Sequence, residues 1–487
     1  MSDICFLLEG TYPYVSGGVS SWVADIITSM PDLEFSIVYL GAHRDSFKSR
    51  KYAVPSNVTG ILEYYIFDYS FHNKGGSRII GKNRRLLADF LAGLIEGETA
   101  QFEEVLEILG DKRITLFDLT YSKESWEIMM EVYRKKARDI SFIDFFWSWR
   151  FIYLPMFSLM KIDLPLSGVY HSVSTGYAGL LGSIAKIKTG CPYILTEHGI
   201  YTRERKIEIL HAEWIKSSLA EDITVTSKED FFKQWWVKLF SFFSITAYNY
   251  ADSIYSIYEG NSRIQISEGA PAEKVSVIPN GIEQDRFGSF TAKRKKGRFR
   301  IGFIGRIVKI KDVKTFIRAC DIACRRIPEA EAWMLGPYDE EKQYYEECKK
   351  MIKDRGLEEK ILFKGKVDIN EYIKELDVVV LTSISEGQPF VILEANLCGI
   401  PVIATDAGAC RELLEGRGGE DRSFGQSGII TPQNAPESTA QAMVRLYKES
   451  DTYRNMSSAG IKRVKKYYNK DEMTGRYRSV YIDGKVI

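Results

Sequence analysis

Glu386 and Glu394 stand with seven residues between them in the run Ser383-Ile-Ser-Glu-Gly-Gln-Pro-Phe-Val-Ile-Leu-Glu394. The apolar run before it, Val378-Val-Val-Leu381, predicts a buried parallel strand. Gly387 and Pro389 break the chain into a loop, Phe390 to Cys398 predicts a short helix, and Gly399 stops that helix. Val402 to Ala404, opened by Pro401, predicts the next strand. One carboxylate therefore lies in a loop at the C-terminal end of a strand, and the other in the helix that follows. The N-terminus of that helix offers unpaired N–H groups and the positive end of a dipole to an anion. A ligand carrying hydroxyl groups beside a phosphate needs both features. The same spacing also fits two surface glutamates around a strand-to-helix turn.

Two cations repeat the pattern upstream. In Ile301-Gly-Phe-Ile-Gly-Arg-Ile-Val-Lys-Ile-Lys-Asp312 a strand over Ile301 to Ile304 gives way to a turn at Gly305, and a helix follows from about Asp312. Arg306 and Lys311 flank that turn. A planar guanidinium and an ammonium suit a diphosphate that leaves with its charge held; two surface cations are the plain alternative. Near the start, Ile4 to Leu8 predicts a first strand and Ser20 to Met30 a helix, with Gly17-Gly18 in the turn between them. A glycine pair there lets backbone N–H groups approach an anion closely.

Histidine is scarce, with five in the chain, yet two fall at the ends of consecutive predicted strands. His171 ends Gly168-Val-Tyr-His171, and His198 follows Pro192-Tyr-Ile-Leu-Thr196. Ligands of open α/β sheets sit at that edge. A zinc site would need a third ligand at suitable spacing, which the sequence does not supply. Arg203 and Arg205 lie just beyond His198 in what reads as a loop, where they could contact a second substrate or simply be solvated.

Glu-x7-Glu in its Ser-x-Glu-Gly-x-Pro setting, the Gly-Arg-x4-Lys run and the early glycine loop resemble the motifs of retaining GT-B glycosyltransferases of family GT4. The resemblance implies an α/β protein of GT-B fold, with two Rossmann-like domains facing across a cleft. It implies that Glu386 and the neighbouring positions Gly387, Gln388, Pro389, Phe390 and Val391 hold the donor sugar. Glu394 would hold the ribose, while Arg306 and Lys311 hold the diphosphate beside Gly17 and Gly18. His198 would point at the transferred sugar, with His171 supporting it. Tyr12-Pro-Tyr-Val-Ser-Gly-Gly-Val19, Thr196-Glu-His-Gly-Ile-Tyr-Thr-Arg-Glu-Arg205 and Ser385-Glu-Gly-Gln-Pro-Phe390 together resemble the subgroup that builds the Pel exopolysaccharide. That likeness implies a UDP-sugar donor, UDP-glucose or a UDP-N-acetylhexosamine, and a polysaccharide acceptor. It also implies a cytoplasmic enzyme, peripheral at the inner membrane, docked on an exopolysaccharide synthesis complex. No Asp-x-Asp motif occurs, so the expected chemistry is metal-independent and needs no cofactor.

These residues need a scaffold, and the chain is long enough to build one. Its 487 residues predict two or three domains with sizeable cores. The βα alternation predicts an N-terminal domain over 1–285, a second over 286–465, and a C-terminal helix over 466–487 crossing back to the first. Between about 79 and 160 the pattern changes to long amphipathic segments, predicting a helical insertion. The basic run Lys293 to Arg300 predicts a solvated linker, or secondarily a patch for membrane phosphates. The net charge of +1 gives no argument for a nucleic-acid partner. Seven scattered cysteines without C-x-x-C suit reduced thiols. Phe142 to Met160 and Phe231 to Tyr250 are aromatic and apolar but carry charges, and predict core or interface helices rather than membrane spans. Two rival readings remain: a sugar-nucleotide epimerase of the same architecture, and a non-catalytic subunit of a synthesis complex.

Overall fold

The computed structural model describes residues 1–46, 49–69, 79–98, 100–211, 226–287 and 297–483. The chain divides into two compact units. The first holds Met1–Ser256, Ser262–Ser276 and the chain from Tyr477; the second holds Ile257–Asn261 and Val277–Arg476.

In the first unit seven strands form one sheet: β1 (Ser2–Glu9), β2 (Phe35–Gly41), β3 (Val58–Tyr65), β4 (Ser167–Ser172), β5 (Tyr193–Glu197), β6 (Ser253–Ser256) and β7 (Val275–Val277). Their order is β3-β2-β1-β4-β5-β6-β7, and the pairs from β3 to β6 run parallel. Ile4 to Leu8 of β1 are buried throughout, as expected of a central strand covered on both faces.

Among the described residues five helices, Gly81–Glu96, Phe102–Gly110, Leu116–Tyr121, Lys123–Lys136 and Phe142–Met160, stand between β3 and β4. Thr115 and Asp118 form a reciprocal capping box, and Ser122 and Ser141 cap the next two helices. Phe145, Trp149 and Tyr153 pack in one core with Trp235 and Phe242 of the helix Thr226–Tyr250. The aromatic runs thus each bury one face in the core, while Ile143, Trp147 and Phe151 of Phe142–Met160 stay exposed, and no helix among the described residues is long and apolar enough to cross a membrane.

The second unit repeats the plan with β8 (Phe299–Ile304), β9 (Ala330–Leu335), β10 (Ile361–Gly365), β11 (Val378–Leu381), β12 (Val402–Thr405) and β13 (Gly428–Thr431). The order is β10-β9-β8-β11-β12-β13, all parallel. Lys293 to Lys296 of the basic run lie outside the described residues. Arg298 and Arg300 are not a solvated patch: both donate to Glu375 at 2.6 Å, and Arg300 lies over the Trp333 ring.

Two sequence expectations change. Tyr201–His211 is a helix, so Arg203 and Arg205 are not loop residues. The buried Glu197 carboxylate accepts the Tyr201 N–H at 3.0 Å and satisfies the start of that helix. The C-terminal helix expected from 466 onward is broken. Helix Ser450–Tyr467 ends, Asn469 bridges to Ile282, and a new helix runs Lys470–Asp483. Gly281 permits this contact, since a Cβ there would stand 2.4 Å from the Asn469 backbone.

Candidate functional site

Strand order reverses between β8 and β11, which pair with Val378 opposite Ile301. Loops leaving their C-terminal ends therefore meet where open α/β sheets hold ligands. Gly305 ends β8, and the chain tightens into a short 3-10 turn at Lys309–Lys311. Thr382, one residue past β11, donates its hydroxyl to the carbonyls of Lys311 and Asp312 at 3.0 and 2.9 Å. The Ile384 N–H donates to Ile310 at 2.9 Å. Thr405 donates to the Ser383 carbonyl at 2.6 Å. These bonds stitch the two loops together. Lys311 Nζ thereby meets Glu386 Oε1 at 2.6 Å, and Ser383 Oγ donates to the same oxygen at 2.6 Å.

Gly408, with φ +54°, lies against this loop: a Cβ there would stand 2.0 Å from the Glu386 carbonyl oxygen. The Ala409 N–H donates to the Gly387 carbonyl at 2.9 Å. Pro389 occupies the N-cap of helix Phe390–Leu397, which has no side-chain cap. The Ile392 N–H turns back to the Pro389 carbonyl at 3.1 Å, and the N–H groups of Phe390 and Val391 are left without a capping side chain. Phe390 and Val391 are partly buried against the apolar core of this unit. Gln388 spends both polar ends on the backbone of Asn280, accepting its N–H at 2.8 Å and donating to its carbonyl at 3.2 Å. Its side chain clamps a turn. Glu394 is buried and bonded to Arg286 at 2.5 Å. Burial pushes its carboxyl above the usual range, and Arg286 opposes that shift. Arg306 is half exposed and pairs with Glu340 at 2.7 and 2.8 Å.

The first unit carries the other expected residues. Gly17 and Gly18 open the helix Gly18–Ser29, and a Cβ at either would meet nothing within 4 Å. His171 is fully buried at the β1–β4 switch point, with Nδ1 at 2.8 Å from Tyr481 Oη and Nε2 at 2.9 Å from Thr196 Oγ1. Burial, with His198 nearby, pushes its pKa down to about 3. His198 packs edge-on against Trp22, ring centroids 4.9 Å apart, and burial lowers it to about 4. Its Nε2 is buried and has no hydrogen-bond partner among the described residues. His171 is thus saturated by the fold, whereas His198 keeps a ring nitrogen unspent.

Arg203 and Arg205 separate. Two residues apart on a helix, they point to different sides. Arg203 pairs with Glu268 at 2.9 Å on the surface. Arg205 lies over Tyr201 and lines a cavity with Glu9 and Tyr177.

Sequence reasoning missed Arg286, Glu340, Ser383 and Glu9. Arg286 and Glu340 reach their partners over 108 and 34 positions, beyond any local spacing. Ser383 stands three positions before the carboxylate it donates to, a local spacing that the sequence does show.

Two parallel sheets, each with its strand order reversing at the centre, define the GT-B fold. Solved structures share it. HepE of Anabaena, in complex with UDP, aligns over 99% of this chain and 100% of its own, with TM-score 0.59 and 16% identity. Sucrose-phosphate synthase from Thermosynechococcus elongatus aligns over 99% of both chains, with TM-score 0.59 and 13% identity. Residues 2–273 match the family described as a domain of unknown function, DUF3492, and the chain belongs to that family. Residues 298–449 match the family described as glycosyl transferases group 1.

Curated relatives include a D-inositol 3-phosphate glycosyltransferase of Paenarthrobacter aurescens (strain TC1), 30% identical over 39% of this chain and 47% of that protein. The amylovoran biosynthesis glycosyltransferase AmsK of Erwinia amylovora is 28% identical over 37% of this chain and 44% of its own. The chain thus spans under half the length of these two relatives.

Proposed function

We propose that the protein is a retaining, metal-independent glycosyltransferase that moves a hexose from a UDP-sugar to a growing exopolysaccharide, with UDP as leaving group. The observation that supports this most is the Lys311–Glu386 contact beside an uncapped helix end. It puts a cation, a hydroxyl-accepting carboxylate and free-ended N–H groups at one strand switch point of the second unit. In this reading Lys311, Arg306 and the helix end hold the diphosphate as its charge grows, while Glu386 holds sugar hydroxyls and Glu394 the ribose. Each preorganised donor of this kind contributes about 3–4 kcal/mol to the transition state. The acceptor attacks on the face from which UDP leaves, and the departing phosphate takes its proton, so no protein nucleophile is required. His198, neutral at working pH, orients hydroxyls of the transferred sugar rather than supplying charge. Gln388 serves by fixing the loop, not by touching the donor with its side chain.

UDP-glucose and UDP-N-acetylhexosamines are the donors of choice. Within the class the chain resembles the Pel exopolysaccharide glycosyltransferase PelF. This supports a cytoplasmic protein that docks at the inner membrane on a polysaccharide synthesis complex. The test is incubation with a panel of nucleotide sugars while released UDP is measured. Release from a UDP-sugar, increased by a polysaccharide acceptor, is expected. Binding of sugar nucleotide with no release under any acceptor condition would favour the non-catalytic alternative. Conversion of the sugar to its epimer would favour the epimerase.

A further inference from the structure

The helix Phe142–Met160 carries only two charged side chains in its 19 residues, Asp144 and Arg150. One face lies in the core of the first unit with Phe145, Trp149 and Tyr153. The outer face is apolar as well: Ile143, Trp147 and Phe151 are 65%, 54% and 57% exposed. They recur at every fourth position, so each stands about one turn beyond the last on the same side of the helix. Leu154, the next apolar position on that side, is buried and closes the stripe, which leaves Trp147 at its midpoint. Phe146 carries the surface on to the neighbouring helix. It meets Trp147 at 5.2 Å and Trp126 at 6.3 Å, and Trp126 is itself half exposed. Single apolar side chains on a surface are ordinary, but a contiguous aromatic patch marks an interaction site. A helix that is apolar all round is normally covered all round. Arg150 sits within the patch. Its guanidinium lies over the Tyr121 and Phe146 rings at 5.0 and 5.7 Å and donates to the Tyr121 hydroxyl at 3.2 Å. Among the described residues it has no carboxylate partner.

We propose that this face is a two-fold interface with a second copy of the chain, the two Phe142–Met160 helices packing antiparallel about Trp147. The sequence of the stripe is self-complementary. Ile143 lies as far before Trp147 as Phe151 lies after it, and Asp144 as far before as Arg150 after. In an antiparallel pair Ile143 of each copy therefore comes level with Phe151 of the other, Trp147 with Trp147, and Asp144 with Arg150. At 3.6 residues per turn Asp144 and Arg150 stand about 60° to either side of Trp147, so they rim the stripe rather than interrupt it. A two-fold contact makes each pairing twice, and two ion pairs then frame an aromatic centre of the kind that dominates protein interfaces. A parallel pair would set Asp144 on Asp144 and Arg150 on Arg150. A lipid surface has no use for the mirrored order, and Asp144 would face the headgroup phosphates that Arg150 attracts. The interface lies within the first unit and does not depend on the glycosyl-transfer reading.

The test uses the full chain without ligand. Sedimentation velocity over a wide range of concentration should show monomer passing to dimer and nothing larger, because a two-fold contact closes on itself. Trp147→Asp sets like charges on the axis and should return the chain to monomer, with its thermal melt unaltered because the residue is exposed. Asp144→Arg should weaken the dimer about tenfold or more by facing Arg150 with its own sign. Cross-linking fixes the geometry. Trp147→Cys should oxidise to a dimer with its own copy, with the parent as control for native thiols. Ile143→Cys alone should not, since the two Ile143 positions stand about 12 Å apart along the helices, beyond disulfide reach. A mixture of Ile143→Cys and Phe151→Cys should cross-link. A monomer at every concentration, or a dimer that survives Trp147→Asp, overturns the proposal. So does a chain that stays monomeric yet binds vesicles of phosphatidylethanolamine and phosphatidylglycerol through Trp147, which would assign the face to a lipid surface.

Discussion

Lys311 Nζ and Glu386 Oε1 meet at 2.6 Å, although their loops leave two different strands. The carboxylate is nearly buried, and Ser383 is its other bonded partner. The pair is therefore part of the loop structure as well as the proposed charge pair for a ligand.

Lys311→Ala should slow transfer by roughly a hundredfold or more, the scale of one lost preorganised donor. It should also cost about 1–3 kcal/mol of stability, because Glu386 is left with the Ser383 hydroxyl alone. A UDP-release assay beside a thermal melt measures both. An unchanged rate would move the diphosphate away from Lys311.

Glu340 occupies the Arg306 guanidinium from an exposed position, and such pairs contribute about 0–1 kcal/mol. Glu340→Gln should leave the melt unaltered and tighten UDP binding by up to about fivefold, that same energy returned to Arg306. Arg306→Lys should bind UDP more weakly than the parent, since an ammonium lacks the planar fork. Calorimetry of UDP binding decides. Weaker binding in Glu340→Gln would mean that Glu340 itself contacts the ligand.

The two histidines should respond in opposite ways. His171→Phe leaves the Tyr481 and Thr196 hydroxyls short of a partner in a buried site and should cost about 1–3 kcal/mol of stability. His198→Phe keeps the ring against Trp22 and should leave the melt alone, but slow transfer about tenfold by losing one hydrogen bond. The His171 pKa falls from 6.5 to about 3 on folding. The unfolded chain therefore binds the extra proton, and stability drops as pH falls below 6.5. The acid side of the stability profile should flatten in His171→Phe, read by melts between pH 4 and 7.

Glu412 has the reverse sign. Burial raises its pKa from 4.5 to about 7, while it accepts the Glu259 N–H at 2.9 Å. The folded state holds the proton longer than the unfolded one, so this stabilisation is complete below pH 4.5 and lost as pH rises through about 7. Glu412→Gln should remove that slope. Melts from pH 4 to 8 with the same slope in parent and variant would place the titration elsewhere.

The alternation of apolar strands with helices was legible because parallel strands buried on both faces read as unbroken runs, as in Val378 to Leu381 and Ile4 to Leu8. The loops at those strand ends were legible for the same reason, which is why Lys311 and Glu386 could be named before their contact was visible. The helix through Arg203 and Arg205 was not legible. Its start depends on Glu197, whose carboxylate is buried among Thr175, Tyr248 and Gln265 and capping Tyr201. Nothing in Glu197-His-Gly-Ile shows those distant donors. The break at Asn469 was hidden likewise, because it exists to meet Ile282. Partners such as Arg286 for Glu394 are set by tertiary contact alone, and local spacing carries no trace of them.

Tyr477 and Tyr481 belong to the first unit, where they bond Thr196 and His171 across the sheet face. His171 and Tyr481 are 310 positions apart. A ribosome therefore delivers nearly all of the first unit, then the whole of the second, before the rings that finish the first one's interior emerge. Early in synthesis Trp22, His171 and Thr196 sit beneath an open face, and domains that otherwise complete themselves in chain order cannot do so here. The unit made first is the one closed last.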